Sequence, residues 1–222
     1  MCGRYMLARD AQSLAEEFGV SAPDRLAPRY NISPPQPALI VREVDRKRVA
    51  ALVRWGLVPF WADDISIGQR MINARSETVA DKPAFRAAFR RRRCLVPADG
   101  YYEWQSRDGR KQPYLIAPAD GGCFALAGLW EHWQRDGNEL ETMSLMTCAA
   151  NAALGVIHDR MPVVIARADY GRWLSGDTPA AQLQDLLKAA SDDYFVARAV
   201  STRVNSPRND DIECIAPLAA LS

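Results

Sequence analysis

Cys94-Leu95-Val96-Pro97-Ala98-Asp99-Gly100-Tyr101-Tyr102-Glu103-Trp104 is the stretch on which the fold turns. Its apolar start reads as a strand and Ala98-Asp99-Gly100 as a tight turn, with Asp99 a turn residue that binds backbone N–H groups. Outward from it, strand-like runs follow at 114–117, 124–129, 142–148, 163–166 and 195–204, broken by turns such as Arg135-Asp136-Gly137. Upstream, 38–41 and 49–57 are apolar and strand-like, while 21–37 is rich in Pro and turn residues. Helical spacing is confined to short pieces. Asp10 caps a helix in which Ala11, Leu14, Ala15 and Phe18 recur, ending near Gly19. Pro83 suits the first turn of another, with Phe85, Ala88 and Phe89 facing in and Arg86, Arg90, Arg91, Arg92 and Arg93 facing out. Further helical stretches fall near 167–174 and 180–190. Strands in runs, with helices interspersed irregularly, predict an α+β fold on a mostly antiparallel sheet or barrel. No Ser/Gly linker or repeat divides the chain, so residues 1–222 read as a single domain.

At 222 residues, 48% hydrophobic and 25% charged, the chain can bury a sizeable core. A net charge of +1 gives no whole-protein field toward nucleic acid, so such binding must come from a local patch. No run is apolar enough to span a bilayer and no basic-then-apolar leader is present, which predicts a soluble, cytoplasmic protein that does not bind membranes. Cysteines at 2, 94, 123, 148 and 214 form no C-x-x-C pair, and only His132 and His158 are present. These argue against a disulfide framework and a metal site, and no cofactor is expected.

Cys2 directly follows Met1. Removal of Met1 leaves an α-amine (reference pKa about 7.7–8.0) and a thiol (about 8.5) on adjacent carbons. That pair can trap an aldehyde: the amine condenses to a Schiff base and the thiol closes a thiazolidine ring. Glu103, among aromatic neighbours, would have its carboxylate disfavoured by burial and suit proton transfer, or would pair with an arginine at a strand end. His158, in the polar loop Ile157-His158-Asp159-Arg160, can exchange protons near neutral pH, whereas His132 between tryptophans reads as structural. Asn73 in Asn73-Ala74-Arg75-Ser76-Glu77-Thr78 can bind a sugar hydroxyl or the Cys2 amine, or merely open a loop; Arg75 can clamp a phosphate. Arg4, Arg54, Arg75, Arg160 and Arg208 fall in loops or near strand ends, and Pro59-Phe60-Trp61 forms an apolar tip followed at once by Asp63. Stacking on Trp61 and phosphate contacts from arginines would give salt-sensitive single-strand binding. The Arg-rich run near residue 90 reads as a solvated helix face.

Taken together and in order, the 1–5 start, Arg29-Tyr30-Asn31-Ile32-Ser33-Pro34, Trp55-Gly56-Leu57-Val58-Pro59-Phe60-Trp61, the 73–78 and 94–104 peptides, Lys111-Gln112-Pro113-Tyr114, 147–151 and 157–162 resemble the SOS response-associated peptidase (SRAP) family, abasic-site processing proteins; 204–205 and 210–217 also fit. The resemblance implies a single α+β domain with a barrel-like β core, peripheral helices and a basic groove for single-stranded DNA. It implies that mature Cys2 forms a thiazolidine crosslink with the abasic-site aldehyde, shielding the lesion. Glu103 would assist ring opening and Schiff-base proton transfers, His158 would shuttle protons to the sugar oxygen, and Asn73 would hold the deoxyribose and the Cys2 amine. Arg4, Asn31, Arg75, Thr147 and Arg160 would contact the DNA backbone, and Trp61 would wedge against the base stack. Implied too are DNA-damage partners at the replication fork, a monomer that joins the nucleoid on binding DNA, and a self-cleaving peptidase activity exposing Cys2. Two other readings stay open on the residues alone. One is an N-terminal-nucleophile amidohydrolase, for which no suitably placed Asn-Gly is evident. The other is a non-catalytic single-strand-binding module.

Overall fold

The turn at Asp99 marks the place where the chain leaves one sheet for another. The computed structural model describes residues 2–23 and 26–218. In chain order the elements are β1 (Tyr5–Leu7), α1 (Ala11–Phe18), β2 (Arg29–Ile32), β3 (Pro37–Val44), β4 (Lys47–Trp55), β5 (Asn73–Arg75), α2 (Arg86–Arg91) and β6 (Arg93–Ala98). There follow β7 (Gly100–Arg107), β8 (Arg110–Pro118), β9 (Phe124–Arg135), β10 (Asn138–Ala149), α3 (Ala152–Gly155), β11 (Arg160–Pro162), β12 (Val164–Ile165), α4 (Tyr170–Leu174), α5 (Ala180–Gln184) and β13 (Phe195–Ala199). The fold is α+β, a mostly antiparallel β core with small helices around it.

Strands β4, β3, β6, β9 and β10 pair in that order, and a parallel pairing of β10 with β4 closes them into a five-stranded barrel. Closure removes free edges and lets apolar side chains fill the interior. Leu95, Val96, Leu126, Leu129, Met143 and Leu145 are all buried, each such burial stabilising by roughly 1.5–3 kcal/mol. A second, antiparallel sheet runs β13-β8-β7-β1-β2. Asp99 sits at the corner, its carboxylate accepting from Ala8 N (2.7 Å), Arg9 N (3.2 Å) and Arg9 Nε (2.6 Å). The turn therefore ties the start of β7 to the segment after β1.

Helix α1 matches its sequence signals: Asp10 Oδ1 accepts from Ser13 N at 2.9 Å, and Gly19 ends it at φ 65°. Other expectations need correction. Residues 83–85 form a turn and the helix begins at Arg86, although Phe85, Ala88 and Phe89 are buried as the pattern requires. Arg90 and Arg91 are exposed, but Arg93 is 2% exposed and belongs to β6. Its guanidinium donates to the carbonyls of Phe89, Arg90, Trp173 and Ser175. Arg92 is half-buried and paired with Glu131 at 2.6 Å. The stretch at 180–190 is helical only through Gln184. The 195–204 strand stops at Ala199, because Ser201 caps a 3-10 turn over Thr202–Asn205 that turns Val204 into a cluster with Tyr102 and Cys214. No described helix is long and apolar enough to cross a membrane.

Candidate active site

Four separate elements converge where the second sheet meets the barrel. The segment before β1 holds Cys2, which is fully buried. Antiparallel pairing of Tyr5 with Tyr101, extended by the Tyr102 N–H donating to the Arg4 carbonyl at 2.9 Å, lays this segment beside β7. Asn73 opens β5, which β10 holds in parallel register with Leu145 opposite Asn73. Its Nδ2 donates to the Cys2 carbonyl at 2.8 Å, while its Oδ1 is buried without a hydrogen-bond partner among the described residues. Glu103 lies on β7 and is 3% exposed. His158 follows α3, and its Nε2 stands 4.0 Å from Glu103 Oε2. The structure thus brings together all four residues expected to carry chemistry.

The electrostatics follow from burial. Desolvation pushes the Glu103 carboxyl up from 4.5 to about 7, so both its protonation states are populated near neutrality. Burial, then the nearby Glu103, raises the Cys2 thiol far above its ordinary value and keeps it protonated. Burial also lowers His158. The Nδ1 of His158 accepts from the Arg160 backbone N–H at 3.0 Å, which places the proton of the neutral ring on Nε2, facing Glu103. Asp159, 2.9 Å from the same Nδ1, favours the imidazolium instead; the net lowering shows that burial outweighs it.

Glu103 and His158 open into a cleft of about 390 Å³ that also shows Arg4, Trp104, Lys111 and Asn205. Asn73, hydrogen-bonded to the Cys2 carbonyl, borders a second cleft of about 660 Å³ with Trp61, Arg70, Arg75 and Lys82. Arg75 is exposed. Trp61 and Phe60 are 48% and 57% exposed, a protruding tip as the sequence suggests. The tip is rigidly rooted: Val58 and Ala62 pack on Trp133, Val58 N donates to Thr142 Oγ1 at 2.9 Å, and Trp133 Nε1 donates to Ala62 O at 2.8 Å. At its base Gly56 has φ 123°, and a Cβ there would sit 2.7 Å from Gly68 O. Only glycine fits.

Two residues expected at the DNA backbone lie within the protein. Asn31 and Thr147 are both fully buried, and their side chains are engaged with protein partners. Asn31 Oδ1 accepts from Arg4 at 2.7 Å, and its Nδ2 faces the carbonyls of Val204, Ser206 and Asn209. It therefore fixes Arg4 and the C-terminal segment. Thr147 O accepts from Arg160 Nη2 at 2.7 Å. Arg160 is further held by both Glu77 oxygens at 2.6 and 2.9 Å, which pulls Glu77 down to about 2. Arg70 and Lys82 were not singled out by the sequence, since isolated polar residues in unremarkable contexts carry no local signal; Lys111 and Asn205 fall in stretches that carry the family resemblance but had no role assigned. His132, by contrast, pairs with Glu139 at 2.8 Å on the β9–β10 hairpin, a structural placement. Among the described residues no three His, Cys, Asp or Glu side chains cluster as metal ligands would. Met1, whose removal would free the Cys2 amine, lies outside the described residues.

The profile of a family described as SOS response associated peptidase (SRAP) matches residues 1–207. The chain is similar to abasic site processing protein YoqW of Bacillus subtilis, 40% identical over 97% of this chain and 99% of that one. It is similar to abasic site processing protein YedK of Escherichia coli, 30% identical over 98% and 100%. A crystal structure of a protein from Bacteroides thetaiotaomicron superposes with a TM-score of 0.90 at 26% identity, covering 98% of this chain and 100% of that one.

Proposed function

We propose that this chain, which belongs to the SOS response associated peptidase (SRAP) family, processes abasic sites and captures them in single-stranded DNA as a covalent Cys2 adduct. The relatives named for abasic site processing, matched over nearly their full length, support the substrate class. The observation that carries the chemistry is the convergence of Cys2, Asn73, Glu103 and His158 between two clefts with basic linings.

Removal of Met1 releases the Cys2 amine. The lesion sugar is mostly a closed hemiacetal, and Glu103, titrating near pH 7, has both forms available for the proton transfers that open it. The amine then attacks the aldehyde carbon and water leaves, giving a Schiff base. The thiol, kept protonated by burial, adds to the C=N carbon: a C–S bond forms, the π pair and the thiol proton go to nitrogen, and the five-membered ring closes. One water is lost overall. His158 Nε2–H relays protons between Glu103 and the sugar oxygen. Asn73 anchors the Cys2 main chain, and its unpartnered Oδ1 accepts from the amine or a sugar hydroxyl. Arg4, Arg75 and Arg160 hold phosphates, with Asn31 and Thr147 positioning two of them, and Trp61 wedges the base stack. Holding the three reacting groups together makes each step effectively unimolecular.

Incubation with an oligonucleotide bearing one abasic site should give a denaturation-resistant adduct that Cys2→Ala abolishes. An equal adduct yield from Cys2→Ala overturns the proposal.

A further inference from the structure

A third cleft, of about 710 Å³, lies beyond the Phe60–Trp61 tip and is lined by Phe60, Arg90, Arg91, Trp130 and His132 among others. Trp61 borders the Asn73 cleft and Phe60 borders this one, so the two aromatics form the ridge between them. Helix α2 bridges the same two spaces: Phe85, just before it, lines the first and Arg90 the second. Arg70, Arg75 and Lys82 line the first cleft and Arg90 and Arg91 the third, while Arg86 sits one helical turn before Arg90 on the same side of α2; all six are exposed, and none makes an ion pair among the described residues. Six unpaired cations stand out in a chain whose net charge is +1. Nearby cations are matched, Arg92 by Glu131, Arg42 by Glu141 and Arg135 by Asp63. The helix dipole favours basic side chains in a last turn, which suits Arg90 and Arg91. It explains neither the 57% exposure of a rigidly rooted Phe60 nor the cations outside the helix.

We propose that this third cleft docks the single-stranded DNA arm continuing past the Phe60–Trp61 ridge, with an unpaired base stacked on Phe60 and phosphates held by Arg86, Arg90 and Arg91. The inference rests on the capture reading above and extends its footprint. An aromatic face with flanking cations is the arrangement that binds single strands without sequence preference. Each phosphate contact on a single strand adds about 0.7 to the slope of log affinity against log salt.

The test compares abasic oligonucleotides with short arms against ones extended on one side at a time. Wild-type protein should bind more tightly when one particular arm is lengthened. Arg90→Ala/Arg91→Ala should lose that gain and lower the salt slope by about 1.4, while crosslinking the short oligonucleotide at the wild-type rate and keeping the wild-type melting temperature. Phe60→Ala should lose the gain with the slope unchanged. The proposal is overturned if the double variant keeps the full gain and slope, or if the gain appears only when the arm is made duplex. Absence of any adduct with wild-type protein overturns the capture chemistry instead, and the binding comparison still decides the docking site.

Discussion

Replacing Glu103 by Gln should stabilise the protein in alkaline solution while crippling its chemistry. Glu103 is 3% exposed, and burial raises its carboxyl from 4.5 to about 7. The folded state therefore holds the proton more tightly than the unfolded chain. Between those two values the unfolded state binds fewer protons, so stability falls as pH rises through the window. At about 1.4 kcal/mol per pH unit, the loss reaches about 3 kcal/mol above pH 7 and vanishes below pH 4.5. Gln cannot ionise and escapes this loss. Any change in packing or hydrogen bonding from the swap shifts the variant by a constant, so the informative quantity is the pH dependence of the difference. Urea unfolding of both proteins from pH 4 to 8.5 should show Glu103→Gln gaining on wild type by up to about 3 kcal/mol across the window. Its adduct formation should meanwhile slow by roughly 10²–10⁴, the usual contribution of a general acid–base. A flat difference from pH 4 to 8.5 would refute the reasoning, because it would mean that the carboxyl titrates normally and has no proton to give near pH 7.

Arg93→Ala removes the donor shared by four carbonyls, two of them near the end of α4, and should cost at least about 3 kcal/mol in denaturant titration; Arg91→Ala, on the exposed face, should stay within about 0.5 kcal/mol. Gly56→Ala meets Gly68 O at a φ of 123° and should destabilise by about 1–3 kcal/mol; limited proteolysis should show the Phe60–Trp61 tip becoming accessible to cleavage. Glu77→Gln breaks the charged bidentate pair with Arg160 and removes an acidic charge beside it. Fluorescence anisotropy at low salt should show several-fold tighter binding of undamaged single strands, a gain lost at high salt.

Local patterns carried much of this molecule. Alternating and continuous apolar runs located β3, β4, β6, β9 and β10, and the Asp10 and Gly19 signals bounded α1, because each depends on residues a few positions apart. The barrel's closure was not legible. The parallel pairing of β10 with both β4 and β5 joins segments some 70–90 residues apart and leaves no local trace. Arg93 misled for the same reason: its four carbonyl partners include Trp173 and Ser175, 80 and 82 positions away, so it resembled its solvated neighbours. Asn31 and Thr147 share motifs with the site yet lie beneath it, since a motif records which residues act together and not which of them reach the surface. Glu103 was the reverse case. Its aromatic neighbours already implied burial, and burial alone accounts for most of its raised affinity for protons.

The central claim is that amine and thiol of one residue close on one aldehyde. Intact-mass analysis of the mature protein, before and after incubation with a single-stranded oligonucleotide carrying one abasic site, tests it most directly. The account predicts a first mass lacking one methionine, then a gain of one oligonucleotide less one water. The gain should resist denaturant and be absent from Cys2→Ala and from protein whose N-terminus keeps Met1 or a tag. A full gain of mass from protein with a blocked N-terminus would contradict it.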